Sequence, residues 1–351
     1  MPGNGADDIL DVRPTGADVV DDLDPMEPES AENCVLPDAA VSPQRLDEFS
    51  GQPEAVHYLQ VALASCCARR SAMGHILFYG PPGLGKTTLA QIIANEMGVE
   101  AHVLMAPAIF KAAELAMTLV RLKPGDILFL DEIHALDRRI GEMFYNAIER
   151  FRLEIPGSDD HGVPAVSIDL APFTLIGATT RPGRLELPLR DRFEHSVHLR
   201  RYDVNGLSEI VARSANLMGV DIDAGACREV ALRSRGTPRV ANRLLRRVRD
   251  FALAGGEASV TRDCAIRTFD WLGVTADGLD RASLQYLTAL SERFEGGPAG
   301  LKSLSAAIGE SSDYLEEEIE PWLVLQGYVN RGRNGRVLTT KGQELVHEGG
   351  S

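Results

Sequence analysis

One stretch limits what this chain can become more than any other: residues 75–89, HILFYGPPGLGKTTL. Four apolar residues, Ile76, Leu77, Phe78 and Tyr79, run into Gly80-Pro81-Pro82-Gly83-Leu84-Gly85. Lys86-Thr87-Thr88 follows, and Leu89-Ala90-Gln91-Ile92-Ile93 then has helical spacing. The order predicts strand, glycine loop and helix, the setting that gives a P-loop match its meaning. Glycines let backbone N–H groups turn toward phosphate oxygens, and the helix N-terminus adds positive potential. Lys86 is placed to reach the β- and γ-phosphates, and the Thr87 hydroxyl to complete a Mg²⁺ shell. A chance glycine turn would need neither the strand before it nor the helix after it. The predicted ligand is therefore a nucleotide with Mg²⁺.

A second stretch supplies the other half of such a site. Residues 126–132 read DILFLDE, an apolar run suited to a strand buried on both faces of a parallel sheet. It ends in Asp131-Glu132, at the carboxyl edge where open α/β sheets bind ligands. Asp131 is suited to hold Mg²⁺, and Glu132 to polarise an attacking water. Thr174 to Arg181 predicts a further buried strand ending in hydroxyls, so Thr180 can hydrogen-bond the γ-phosphate or that water. Pro188-Leu189-Arg190-Asp191-Arg192-Phe193 offers two arginines. An arginine on a subunit edge can serve the γ-phosphate of a neighbouring copy. The residues alone do not separate Arg190 from Arg192.

The remainder divides by pattern. Residues 1–40 hold eleven acids against Arg13 alone, a charge of −10 within the −15 of the chain. This arm lacks periodicity and reads as disordered. The other residues carry only −5, so nucleic-acid binding has to be judged patch by patch. Residues 41–202 form the first folded domain, where strand and helix alternate from Gly74 to about Arg200, predicting a mainly parallel sheet. Two extended runs around Gly157-Ser158-Asp159-Asp160-His161-Gly162 predict a projecting β-hairpin over about 152–170.

Residues 203–275 read as helices only, a lid. Thr237 is a good N-cap and Pro238 fits the first helical position. Val240, Leu244, Leu245, Val248 and Phe251 form the apolar stripe of that helix. Arg239, at its N-terminus, is expected to touch phosphate.

Residues 276–351 predict three helices, the last at 313–325, and a β-hairpin with the Gly- and Arg-rich tip RGRNGR. That is the pattern of a winged helix. Arg331, Arg333 and Arg336 suit DNA phosphates or a minor groove. Glu316, Glu317, Glu318 and Glu320 on the last helix would repel phosphate, so the wing is the expected DNA contact.

No apolar run reaches the ~18 residues of a membrane span, and the acidic N-terminus has no secretory pattern. Five cysteines without metal-ligand spacing fit a reducing cytoplasm.

With these residues assembled, the chain resembles the RuvB family of Holliday-junction branch-migration motors, which are AAA+ ATPases. The likeness runs from about Leu46 to Val346. It rests on GPPGLGKTTLA, on DEIH at 131–134, on APFTLIGATTR at 171–181, on PLRDRF and on RGTPRVANRLLRRVRDFA at 235–252. The resemblance implies Walker A roles for Lys86 and Thr87, and Walker B roles for Asp131 and Glu132. It implies sensor 1 at Thr180, a trans-acting arginine finger at Arg192 and sensor 2 at Arg239. It also implies a homo-hexameric ring on duplex DNA and Holliday junctions, a junction-binding RuvA-type partner at the 152–170 hairpin, and ATP-driven branch migration in recombination and repair. The chain departs from the family pattern at Ser42, at Ser50, in the acidic hairpin tip and in the wing, where one arginine is shifted. The competing classes are a protein-remodelling AAA+ ATPase, or a clamp-loader-like switch that uses the winged helix for docking.

Overall fold

Five short strands, the three central ones buried, set the frame of the N-terminal part. The computed structural model describes residues 41–69, 71–155 and 166–349, which belong to one compact unit. The acidic arm and the Asp159-Asp160-His161 hairpin tip lie outside the described residues.

Helix α1 (Pro53–Arg69) leads to β1 (Ile76–Tyr79), the glycine loop and α2 (Lys86–Met97). Strand β2 (Ala101–Met105), α3 (Ala112–Arg121), β3 (Ile127–Asp131) and α4 (Arg138–Arg150) follow. Asp137 caps α4 by accepting from the Arg139 N–H at 2.8 Å. Strands β4 (Arg152–Ile155) and β5 (Val166–Asp169) pair antiparallel, apart from the main sheet. Strand β6 (Thr174–Thr179), the single turn α5 (Leu187–Arg190) and β7 (His195–His198) complete the part.

The main sheet is wholly parallel, in the order β2-β3-β6-β1-β7. Alternation along β1 sends Ile76 and Phe78 into the core under α1 and α2, and Leu77 into the core under α3 and α4. Register pairs Tyr79 with Thr179 and Leu130 with Gly177. The carboxyl ends of β1, β6 and β3 therefore lie side by side.

Helices α6 (Val204–Leu217), α7 (Ala224–Arg233), α8 (Pro238–Ala254) and α9 (Arg262–Leu272) enclose a separate apolar core around Val211, Val230, Leu245, Val248 and Phe269. Asp203, Asp223 and Thr261 cap α6, α7 and α9 through their side chains. Helix α8 differs from expectation. Thr237 occupies the cap position without capping, because its hydroxyl bonds the Arg235 carbonyl and an Arg201 N–H instead.

The last core gathers Tyr286, Leu290, Leu315, Leu323 and Tyr328 beneath α10 (Arg281–Glu292), α11 (Leu301–Ile308), α12 (Ser312–Tyr314), α13 (Glu320–Leu325), β8 (Val329–Gly332), β9 (Gly335–Leu338) and α14 (Thr340–Gly349). The expected single helix over 313–325 is interrupted. Residues Leu315–Ile319 form a π turn just before Pro321. Proline has no N–H to return to the Glu317 carbonyl, so the regular ladder cannot pass that point.

Candidate active site

The glycine loop closes around its own lysine. Lys86 is buried, and its Nζ donates to the carbonyls of Gly80 and Pro81, each at 2.9 Å. Burial lowers its pKa, and the nearby Glu132 and Asp131 carboxylates oppose that shift. Leu84 anchors the loop in the core, while Thr87 lies exposed in the first turn of α2 and Thr88 is half-buried.

Gly80, Gly83 and Gly85 all have positive φ. Gly83 is the position where the lid meets the loop. A Cβ there would lie 2.8 Å from Thr237 Cγ2 and 3.0 Å from Arg239 Cβ. The start of α8 thus rests on the phosphate loop, with Arg239 exposed beside it.

At the end of β3, Asp131 accepts the Glu132 N–H at 2.9 Å. Burial pushes its pKa up, while that N–H and Lys86 act in the opposite direction. One protein donor leaves Asp131 with free lone pairs, and the Thr87 hydroxyl is exposed to solvent. Oxygen donors of this kind suit a hard dication such as Mg²⁺.

Glu132 is a non-glycine residue at φ +48, a costly backbone state of the kind that collects at functional sites. Its carboxylate is held in place. Thr180 donates both its N–H, at 3.1 Å, and its hydroxyl, within 3.0–3.1 Å. His134 Nδ1 lies 3.1 Å away and also touches Thr179 Oγ1 at 2.9 Å. Thr180 was expected to meet phosphate or water; here both of its donors serve Glu132.

Of the two candidate arginines, Arg190 is exposed, whereas Arg192 is partly buried. The Arg192 guanidinium lies 5.0 Å over the Tyr145 ring and 3.3 Å from Glu149. Its neighbour Phe193 packs against the sheet at Gly177, which has no side chain; a Cβ there would come within 2.7 Å of the ring.

A cleft of about 270 Å³ opens between Gly51, Gln52, His198, Tyr202 and Gly206, beside the loop. Gln52 accepts the Arg200 N–H at 3.0 Å, and Tyr202 donates to the Leu84 carbonyl.

The wing arginines divide. Arg336 is only 11% exposed and forms bonds of 2.8 and 3.0 Å to Glu320, which is 2% exposed. That pair is part of the core, which corrects the expectation of three free wing cations. Glu320 likewise is not on the exposed acidic face where the sequence put it. Arg331 pairs with Glu316, while Arg333 stands exposed at the tip with no carboxylate partner among the described residues.

Sequence reasoning gave no role to His134, Arg181 or Tyr202. His134 carried a signal, lying three positions after Asp131; the other two have none, since their importance comes from contacts across domains.

A P-loop sheet, paired acids at the end of β3 with β6 between it and the P-loop strand, a helical lid on the loop and an appended winged helix define an AAA+ type ATPase. Family models agree over nearly the whole folded chain. Residues 41–199 match the Holliday junction DNA helicase RuvB P-loop domain, 202–275 the RuvB AAA lid domain, and 276–347 the RuvB C-terminal winged helix domain. Among solved structures, the Thermotoga maritima RuvB Holliday junction branch migration motor is 40% identical, with a TM-score of 0.79 over 88% of this chain and 98% of that one. Two point mutants of the same protein match equally well: 40% identity, TM-score 0.80, with 87% and 88% of this chain and 98% of each of theirs covered. The chain belongs to the RuvB family of Holliday-junction branch-migration motors.

Proposed function

We propose that this chain hydrolyses ATP to draw duplex DNA through a six-membered ring and so move Holliday junctions, together with a RuvA-type partner. The observation that carries the chemistry is the alignment of three neighbouring strand ends, which gathers Lys86, Asp131, Glu132 and Thr180 at one edge of the sheet.

Residues 80–88 take the phosphates through backbone N–H groups, and Lys86 neutralises charge developing on the transferred phosphoryl. Thr87 and Asp131 would hold Mg²⁺, which would supply positive charge against the phosphates. Glu132 accepts a proton from, or orients, the attacking water, with Thr180 and His134 fixing the carboxylate. Gly51, Gln52 and Tyr202 line the adenine cleft. Arg239 brings the lid onto the nucleotide, so ATP and ADP favour different lid positions. Arg192 serves the site of the next copy in the ring, which makes hydrolysis depend on assembly. The β4–β5 hairpin is the docking element for the partner. Arg333 and Arg331 make the wing's phosphate contacts. Among the described residues no helix is long and apolar enough to cross a membrane, and a cytoplasmic site of action suits a DNA motor.

The test is ATP-dependent dissociation of a synthetic four-way junction, with and without the partner. Partner-dependent dissociation that is lost in Lys86→Ala supports the motor. Hydrolysis without dissociation, even with the partner present, points instead to a remodeller or switch.

A further inference from the structure

The winged helix reaches into the neighbourhood of Glu132. Arg181 directly follows Thr180, and its guanidinium forms an ion pair with Glu317, in the π turn of the winged helix. On its other side the Arg181 N–H donates to Thr179 Oγ1 at 3.0 Å, the same oxygen that touches His134. Thr179, Thr180 and Arg181 therefore each bond a different member of one cluster: His134, Glu132 and Glu317.

A second contact runs parallel to the first. Arg201 lies 5.5 Å over the Trp322 ring of α13 while donating to the Arg235 carbonyl at 2.6 Å, just before α8. The electrostatics agree with the geometry. Burial lowers the His134 pKa, Glu132 opposes that, Arg181 adds to it, and Glu317 of the distant domain opposes it again.

The π turn also faces the wing. Glu316 pairs with Arg331, and Glu320, just beyond the turn, pairs with Arg336. One six-residue segment, 315–320, thus holds Arg181 of the ATPase part by one acid and the wing by two others. A phosphate that takes Arg331 competes with Glu316 for it, and so acts on this segment directly. Mid-helix π turns are frequent at functional sites.

We infer that Glu317 and Arg181 form the contact through which DNA held at the wing adjusts the setting of Glu132. Arg181 is in this sense a positioning residue, acting through Thr179, Thr180 and His134. The inference rests on the proposed role of Glu132, but that role does not depend on it.

The full-length chain should be assayed for ATP turnover without DNA and at saturating linear duplex. The variants are Arg181→Glu, Glu317→Arg, the exchanged double substitution, and Glu132→Gln in parallel. Each single substitution should lower the ratio of DNA-stimulated to DNA-free kcat about fivefold or more, the low end for coupled sites. The double exchange should restore most of that ratio, which a merely misfolded variant would not do. Wild-type ratios in both single variants, or a double no better than the worse single, would overturn the coupling. Wild-type turnover in Glu132→Gln would instead overturn the site reading underneath it.

Discussion

Two glycine-bearing turns carry candidate ligand-binding basic residues of this protein, and they are built in opposite ways. The loop after β1 sits on a parallel sheet whose central strands are buried except at the last residues of β1 and β3, and its proposed work falls mainly to backbone N–H groups. Its one lysine is buried and held by carbonyls of the same loop. The turn between β8 and β9 closes a two-stranded ribbon, and its work falls to long side chains. Two of its three arginines are already paired with carboxylates of the neighbouring helix. A site made of backbone is specified once the local conformation is specified. A site made of arginines is specified only when their acidic neighbours are known.

The largest effect that could break this contrast is at the loop. Lys86→Ala should lower ATP turnover by a thousandfold or so, beyond the ~10²–10³ lost with a single stabilising donor. Phosphate release measures it, and turnover near wild type would mean the loop is not the phosphate site. Glu132→Gln should cost about a hundredfold in kcat while a fluorescent ATP analogue still binds, as expected for the loss of a general base. Loss of binding instead would make Glu132 a structural residue.

Smaller effects sharpen the other side. Arg336→Ala leaves Glu320 buried without its cation and should destabilise the winged helix by about 3 kcal/mol. Arg333→Ala should change stability by less than about 0.5 kcal/mol. Calorimetry on the two variants separates them, and equal losses would contradict the division of the wing arginines. Smallest is the expected salt effect: Arg333→Ala should reduce the salt dependence of duplex binding by about one phosphate contact. An unchanged slope would move the DNA contact away from the wing tip.

Much of the fold was legible because its signals are short-range. Apolar runs, Gly-Pro breaks and the Thr237-Pro238 helix start are read within a few residues, and the α/β core, lid and winged helix followed from them. The gathering of the candidate site residues was legible for the same reason, since strand ends in a parallel sheet collect at one edge. The helix over 313–325 was misread at its middle, where Pro321 has an effect on backbone bonding that residue periodicity does not reveal.

The contacts between distant segments around the candidate site were not legible. Thr180 meets Glu132 across 48 residues, and Arg181 meets Glu317 across 136. The Arg336–Glu320 pair spans only 16 residues, yet a row of exposed acids and a row of exposed arginines give the same sequence as a buried pair.

By itself, then, the sequence determined that a glycine loop would join a strand to a helix, which strands would carry the acids, and that a basic hairpin would follow three helices. These depend on backbone conformation, which neighbouring residues decide. Only the tertiary structure decided which charges remain free to meet a ligand. An ionised side chain takes whichever opposite charge the fold brings within reach, and that choice is made between segments far apart in the chain.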